Sequence, residues 1–308
     1  MQPFRFAVYT NNADEADRWT TFARRAEELG YAALYVTDHL GRQLAPTAAL
    51  AAAAAVTNTL RIGPYVFAND FRHPLIVARE AATLDRLSGG RLDLGLGAGW
   101  KQSDYRQLGM PYDAPSVRID RMFESLGIMR RLFSGEEVTH EGRFYRLERA
   151  RLEPAPVQQP HPRIMLGGGG PRMLRFAARE AQIVSFVPQF SASGRPMMRH
   201  ASESALSERA DQVRAAAGSR FEELELNVFV ADAGVVGGPQ QLSTSLSALL
   251  KSAGPAVIGG SPYLLYGTLD QLREGMLRRR DRTGISSYGI PARVMEAFAP
   301  LVGGLAGS

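Results

Sequence analysis

Cysteine is absent from the 308 residues of this chain. Disulfide bonds, thiolate metal ligands and cysteine nucleophiles are therefore excluded, and cysteine usage gives no indication of the redox compartment. The chain also lacks a run of about 18 apolar residues, which a membrane-spanning helix needs. Its opening residues have no apolar core of the kind a signal peptide carries. We therefore expect a cytoplasmic protein with no membrane partner.

Lysine is almost absent as well. Lys101 and Lys251 are the only lysines among 36 basic residues, so the net charge of +5 comes from arginines spread along the chain. The densest basic stretch, residues 278–282, lies near the predicted end of a helix, where cations interact favourably with the helix dipole. We interpret it as a solvated helix end. Contact with an anionic ligand is the alternative, and no nucleic acid partner is expected.

Several kinds of catalytic centre have no sequence signal here. The five histidines are scattered without the spacing of metal ligands, so no metal site is predicted. The chain has neither the Gly-x-Ser-x-Gly turn of acyl-transfer enzymes nor a phosphate-binding loop of the Gly-x-x-x-x-Gly-Lys type. Hydride or electron transfer with a bound organic cofactor remains, in which the protein supplies orientation and a proton donor.

Strand-like and helix-like segments alternate along the whole chain, which predicts parallel strands joined by helical crossovers. The predicted strands cover residues 4–10, 32–37, 61–67, 91–96, 163–166, 183–187, 224–231 and 285–290. The predicted helices cover residues 14–30, 46–57, 74–87, 117–133, 171–180 and 203–217, with one more ending near residue 282 and a closing helix from residue 291. Eight strands with about eight helices favour an α/β fold of the (β/α)8 TIM barrel type.

We predict one domain over residues 1–308, with an insertion around residues 134–162. Four prolines crowd the end of that insertion, and Gly142 lies in a turn between two short predicted strands. A doubly wound open sheet is the alternative fold. That fold usually places its glycine fingerprint after the first strand, where residues 9–12 contain no glycine.

The stretch from Gly89 to Trp100 is the most informative part of the sequence. Its leucines alternate with Asp93, Gly95 and Gly97, which is the pattern of a strand, and the strand ends in glycines followed by a large aromatic residue. Glycines at such an end could allow a ligand to approach the backbone closely. Alternatively, they simply make room for neighbouring helices.

Barrel enzymes build their sites at the carboxyl ends of the strands, and four predicted strand ends carry candidate residues. The second ends in Asp38 and His39, and His39 can change protonation near neutral pH while an adjacent carboxylate orients its ring or binds a ligand amide. As an isolated pair, these two residues are also compatible with a purely structural role. The other three ends offer Gly63, Tyr65 and Asn69, then Gly97, Ala98, Gly99 and Trp100, and finally Gly167, Gly168, Gly169 and Gly170. Three glycine-lined ends favour a large, flat, anionic ligand.

With these strand ends identified, the chain resembles the bacterial luciferase-like superfamily of flavin and deazaflavin proteins, and within it the oxidoreductases that use coenzyme F420. The resemblance extends over nearly the whole chain. It is carried by residues 27–31 leading to 37–39, by 69–74, by 84–91 running into 95–100, by 167–170 and by 261–268. These motifs are specific to the superfamily, but less specific to one cofactor.

The resemblance implies a barrel whose strand ends hold the tricyclic cofactor ring against a bulge. In relatives the bulge contains a non-proline cis peptide, which would here fall at Tyr65–Val66. Asp38 and His39 would contact the ring and act as the catalytic residues. The remaining implied cofactor contacts are Tyr65, Val66, Asn69, Ala98, Gly99, Trp100, Gly167, Gly168, Gly169 and Gly170.

Two departures from the pattern bear on the reaction. The sugar-phosphate dehydrogenases of the superfamily carry a tryptophan and a glutamate where this chain has Gln43 and Trp100. Oxidation of glucose 6-phosphate is therefore not expected. The resemblance instead implies hydride transfer from reduced coenzyme F420 to an activated C=C or C=N bond of a small organic substrate, with His39 or a bound water as proton source.

Two alternatives remain open: a monooxygenase that uses FMN, and a non-enzymatic flavin-binding relative. Residues 188–200 are long enough to form a lid over the site, although a plain surface loop would explain them equally well. The resemblance also implies a homodimer.

Overall fold

The computed structural model describes residues 2–188, 200–235 and 261–308. Nine parallel strands form its main sheet, in the order β3-β2-β1-β13-β10-β9-β8-β5-β4. Within the described residues, no helix is both long enough and apolar enough to cross a membrane.

Strands and helices follow one another as the sequence pattern predicts, and their bounds differ from the prediction mostly at the ends. The strands are β1 (Arg5–Thr10), β2 (Ala33–Val36), β3 (Arg61–Pro64), β4 (Phe67–Ala68), β5 (Asp93–Gly97), β6 (Val138–Glu141), β7 (Arg146–Ala150), β8 (Arg163–Gly168), β9 (Ile183–Phe186), β10 (Glu225–Phe229), β11 (Asp232–Val235), β12 (Leu264–Gly267) and β13 (Ser287–Pro291). The α-helices are α1 (Trp19–Glu28), α2 (Pro46–Val56), α3 (Pro74–Leu87), α4 (Gln102–Gln107), α5 (Pro115–Phe133), α6 (Pro171–Glu180), α7 (Glu203–Ala217), α8 (Leu269–Thr283) and α9 (Met295–Leu305).

The sheet closes into a barrel. β3 and β4 are two pieces of one interrupted strand, and a parallel bridge between Ile62 and Leu92 joins β3 to the segment leading into β5. Counted in this way, eight strands surround the axis, so the predicted (β/α)8 barrel is confirmed and the open doubly wound sheet is wrong.

The insertion forms a two-stranded antiparallel hairpin of β6 and β7, as predicted. Two features were not predicted. A short parallel pair, β11 with β12, lies outside the barrel sheet, and the short helix α4 follows β5. The basic stretch 278–282 closes α8, but it is only partly a solvated end. Arg279 is buried there, where it contacts Glu203 and donates a hydrogen bond to the hydroxyl of Tyr288.

The alternating residues of β5 face two different sides of the sheet. Leu94 and Leu96 are fully buried in the large core shared with the helices. The barrel interior is a second, smaller cluster that includes Tyr9, Tyr35, Tyr65 and Met165. Opposite faces of the strands therefore pack in two different layers, as a period of two requires.

The third predicted strand, residues 61–67, is not continuous. It breaks between β3 and β4 at Tyr65–Val66, whose peptide bond is cis, so the predicted position of the non-proline cis peptide is confirmed. The interruption bulges toward β5, and β5 has no side chain there. A Cβ on Gly95 would lie 2.1 Å from the carbonyl oxygen of Pro64, and one on Gly97 would lie 2.6 Å from Cγ2 of Val66.

A charged network lies at the opposite end of the barrel, where the strands begin. The carboxylate of Asp93 is fully buried, and it accepts hydrogen bonds from Nε of Arg61 at 2.8 Å and from the hydroxyl of Tyr35 at 2.8 Å. Arg163 lies 3.6 Å from the same carboxylate and also pairs with Glu225 at 2.7 Å. Burial alone would raise the pKa of Asp93, but Arg163 and Arg61 outweigh it and hold the pKa below its usual range.

We expect Asp93→Asn to destabilise the fold by about 3–5 kcal/mol at neutral pH, because it leaves buried guanidinium groups without their carboxylate. Since the pKa of Asp93 is lowered in the folded state, its contribution is present above the ordinary carboxyl range and is lost as the pH falls. Chemical denaturation at several pH values measures both effects. Glu274→Gln removes an exposed helical ion pair with Arg278 and is the matched control, with little or no change expected. An equally small effect of both substitutions would contradict the role of Asp93.

A second prediction concerns the bulge. Gly97→Ala forces a methyl group against Val66 and should destabilise the protein by about 1–3 kcal/mol, the usual cost of overpacking. Gly127→Ala in α5 is the control, because a Cβ there meets no described atom within 4 Å. Denaturant midpoints should fall for Gly97→Ala and stay level or rise for Gly127→Ala. Similar midpoints for the two variants would show that the bulge does not need the glycine.

Candidate active site

A cavity of about 710 Å³ opens at the carboxyl ends of the barrel strands. Its walls combine glycine backbone with apolar and aromatic side chains. Of the predicted site residues, the following line it: Asp38, His39, Tyr65, Val66, Ala98, Gly99, Trp100, Gly167, Gly168, Gly169 and Gly170. The structure thus brings four separate predicted strand ends together around one space.

Asn69 is the exception among the predicted contacts. It is buried and does not line the cavity, and its amide donates a hydrogen bond to the hydroxyl of Tyr145 at 3.1 Å. Tyr145 belongs to the end of the inserted hairpin. Asn69 therefore ties the hairpin to the back of the site, and its contact with a cofactor stays a prediction.

The bulge forms part of the cavity wall. Val66 lies between Gly97 and Gly167, and a Cβ on Gly167 would be in ordinary contact with Val66 at 3.5 Å. The glycines of β5 thus make room for the bulge of the neighbouring strand and not, as the second interpretation expected, for helices. Close approach of a ligand to the backbone is instead available at Gly170, where a Cβ would meet no described atom within 4 Å.

The glycine run leads directly into a helix. Gly167 and Gly168 end β8, and Gly170 precedes Pro171, the first residue of the ten-residue helix α6. Proline suits that position because the first amides of a helix have no partner within the helix. These amides and the positive end of the helix dipole lie beside the cavity, where they favour an anionic group of a ligand.

His39 lies at the cavity wall and has a buried partner. Its Nδ1 is 2.7 Å from a carboxylate oxygen of Asp104, and the side chain of Asp104 is only 1% exposed. Asp104 lies on α4, the short helix that follows Trp100. Trp100 packs edge-on against the imidazole, with ring centroids 5.4 Å apart. The nitrogen left for a ligand is Nε2.

Asp38 has a different role from that of an orienting partner for His39. Its carboxylate accepts two hydrogen bonds from the guanidinium of Arg72, at 2.6 and 3.0 Å, and one from the backbone N–H of Ala68 at 3.0 Å. Asp38 therefore holds the chain just after the bulge. The expectation that the adjacent carboxylate orients the His39 ring is wrong, because Asp104 occupies that position.

Tyr65 lines the cavity with its ring, while its hydroxyl is bound to another residue of the barrel interior. The hydroxyl donates to Oδ1 of Asn227 at 2.6 Å, and Tyr9 similarly donates to the carbonyl of Val230 at 2.8 Å. Both rings pack against Phe229, with centroids 4.8 to 5.5 Å apart. Burial raises the pKa of Tyr65, so its phenol stays protonated. This side of the cavity is aromatic and apolar.

The sequence prediction did not identify Asp104, Arg72 or Arg118. Arg118 is buried on α5, lines the cavity, and donates from Nε to the carbonyl oxygen of Gly99 at 3.3 Å. Arg72 lies in the 69–74 motif without having been assigned a role, and the other two residues belong to ordinary polar stretches. The only available signal was the proximity of Asp104 to the glycine-rich strand end.

Two other predictions concern what the site contains. In the described parts of the chain, no three His, Asp or Glu side chains come together as a metal site would require. The proposed lid, residues 188–200, lies outside the described residues except for its two ends.

Comparison with known proteins identifies the family. A sequence profile for luciferase-like monooxygenases matches residues 1–230. The glucose-6-phosphate dehydrogenase of Intrasporangium calvum, described as F420-dependent, is 33% identical over 165 residues, which are 50% of this chain and 49% of that protein. The chain spans about half the length of the curated relatives it matches.

Solved structures show the same fold at lower sequence identity. The coenzyme F420-dependent tetrahydromethanopterin reductase of Methanopyrus kandleri superposes with a TM-score of 0.75 over 99% of both chains, at 18% identity. The monooxygenase RslO1 of Streptomyces bottropensis has a TM-score of 0.77, covering 96% of this chain and 98% of that one, at 23% identity. With this barrel and a profile match over well more than half of its length, the chain belongs to the luciferase-like monooxygenase family.

Proposed function

We propose that this protein is an oxidoreductase dependent on coenzyme F420 that transfers a hydride from the reduced coenzyme to an activated C=C or C=N bond of a small organic substrate. The observation that carries the proposal is the His39–Asp104 pair at the wall of a cavity of about 710 Å³. A cavity of this size suits a cofactor or a drug-sized ligand. The imidazole provides a group for proton transfer beside it.

The residues present fit a flat, anionic cofactor. Val66 and the glycine backbone of β8 offer a smooth wall for a tricyclic ring, and Gly170 leaves open space at the start of α6. The amides at the beginning of α6 would hold a phosphate group of the cofactor. Tyr65 and Phe229 would exclude water from the ring, because their apolar surfaces face the same cavity.

In this arrangement the coenzyme and each of the surrounding residues have separate roles in the reaction. Reduced coenzyme F420, when bound, supplies the hydride. His39, with its ring charged and a proton on each nitrogen, supplies the matching proton from Nε2 to the other atom of the double bond, so that the substrate gains two hydrogens in total. Asp38 keeps the wall in place through Ala68 and Arg72. Trp100 restricts the position of the imidazole by edge-on packing.

The same residues argue against glucose 6-phosphate as the substrate, although several curated relatives are named as dehydrogenases of that sugar phosphate. The side chain of Gln43 is bound to Thr37 by two hydrogen bonds, at 2.7 and 2.9 Å. Trp100 places an indole where those dehydrogenases carry a glutamate. At the position of that glutamate the chain therefore has an aromatic side chain in place of a carboxylate.

A monooxygenase that uses FMN is the second candidate. It is favoured by the description of the family and by the aromatic wall of the cavity, which would give a reduced flavin the water-poor surroundings that oxygen chemistry needs. The reaction with oxygen distinguishes the two candidates. Oxygen consumption that depends on reduced FMN and substrate would favour the monooxygenase. A flavin that binds without any turnover would indicate a non-enzymatic relative.

We expect the purified protein to bind coenzyme F420 in the micromolar range or tighter, and FMN more weakly. Fluorescence quenching is suited to this measurement because the chain has two tryptophans, of which Trp100 lines the cavity and Trp19 is buried elsewhere, at the start of α1. Most of the quenching should be lost in Trp100→Phe, while calorimetry still detects binding. Absence of binding to coenzyme F420 in both methods would overturn the assignment of the cofactor.

The proton-transfer role of His39 gives a further expectation. His39→Ala should lower kcat by about 10²-fold, the usual scale for losing a general acid, and change the Kd of the coenzyme only a few fold. His140→Ala is the matched control, because His140 also pairs with a carboxylate, Glu124, but does not line the cavity. The control should keep its turnover. An unchanged kcat in His39→Ala would remove His39 from the mechanism.

A further inference from the structure

We infer that Asp104 is the positioning residue of the site: it holds the imidazole of His39 with the proton on Nδ1 and so presents Nε2 to the ligand. The inference rests on the proposed function for its kinetic consequence. Its structural part, the state of the imidazole, concerns only residues of this chain and is measurable without cofactor.

The first argument is geometric. Nδ1 of His39 lies 2.7 Å from Oδ2 of Asp104, which is the length of a charge-assisted hydrogen bond. An ionised carboxylate can only accept, so Nδ1 must be the donor. In the neutral ring the other nitrogen, Nε2, then carries a lone pair. In the charged ring it carries a proton that it can donate.

The second argument concerns the environment of the carboxylate. The side chain of Asp104 is 1% exposed, whereas that of His39 is 30% exposed, so the pair points from the interior of the wall toward the accessible cavity. The other oxygen of Asp104 lies 3.3 Å from Nζ of Lys101. One oxygen of the carboxylate thus faces the imidazole of His39, and the other faces the ammonium group of Lys101 at ion-pair distance.

The other carboxylate near His39, that of Asp38, has partners of its own. Asp38 is adjacent in sequence, but Arg72 and the backbone of Ala68 engage both of its oxygens. Asp38 is therefore not available to rotate the imidazole toward itself. The ring is held by Asp104 on one edge and by the edge-on packing of Trp100, which leaves it little rotational freedom.

The experiment uses the full chain without cofactor, labelled with ¹⁵N-histidine. Long-range ¹H–¹⁵N spectra, recorded at a pH where the ring is neutral, show which nitrogen carries the proton. The chain has five histidines, and His39→Gln identifies the signals of interest. Wild-type His39 should carry its proton on Nδ1. A proton on Nε2 in the wild type would overturn the inference, and this outcome does not depend on the folding of any variant.

Two substitutions test the cause. Asp104→Asn keeps the shape of the side chain but can turn its amide N–H toward Nδ1, which should move the proton of His39 to Nε2. Glu124→Gln is the matched control, because it alters the partner of His140 in the same way and should leave His39 unchanged. An unchanged tautomer of His39 in a folded Asp104→Asn would also overturn the inference.

The kinetic consequence is separable from the proposed reaction. In Asp104→Asn we expect kcat to fall by about 10- to 100-fold, the scale found when a metal-binding histidine loses the carboxylate that orients it. KM and the Kd of coenzyme F420 should change only a few fold. A merely structural role would lower stability and affinity instead. If the tautomer shifts as expected but no coenzyme F420 binds, the proposed function fails while the assignment of Asp104 stands.

Discussion

The packing of the bulge at Tyr65–Val66 against the glycines of the neighbouring strand β5 determines the shape of the site. β3 cannot continue into β4 in a straight line, and the resulting bulge places Val66 against Gly95 and Gly97. Any Cβ at these two positions would collide with the bulge. Because the side chain of Val66 reaches past Gly97 of β5 to Gly167 of β8, it also forms the surface on which a flat ligand can rest. The wall of the cavity is thus a consequence of the backbone, and the functional side chains are arranged around it.

Around that wall, the charged residues fall into two groups with different tasks. At the beginning of the strands, Asp93 and its arginine partners join neighbouring strands in a network closed to ligands. At the ends of the strands, Asp38 holds the chain after the bulge and Asp104 holds His39. Each of these carboxylates is buried and engaged by cations. The imidazole of His39 is in contrast partly accessible, which is what proton transfer to a ligand requires.

Much of this arrangement could be predicted from the sequence, because it depends on local patterns. Alternation of strands and helices predicts the barrel, and the alternation of residues 92–97 predicts the strand β5. The position of the cis peptide followed from the resemblance to the superfamily. The partner of His39 could not be predicted in this way. Asp104 lies 65 residues further along the chain, on a short polar helix, and only the closure of the barrel brings the two together. The hydrogen bonds between Asp38 and Arg72 could not be predicted from the sequence for the same reason.

The central claim is that the cavity holds a planar redox ring against the bulge, with Nε2 of His39 beside its reactive face. A crystal structure of the protein with coenzyme F420 tests this claim most directly. The account predicts a tricyclic ring resting on Val66 between the ends of β5 and β8, a phosphate at the start of α6, and His39 directed toward the ring while still bound to Asp104. A ring bound outside this cavity, or His39 turned away from it, would contradict the account.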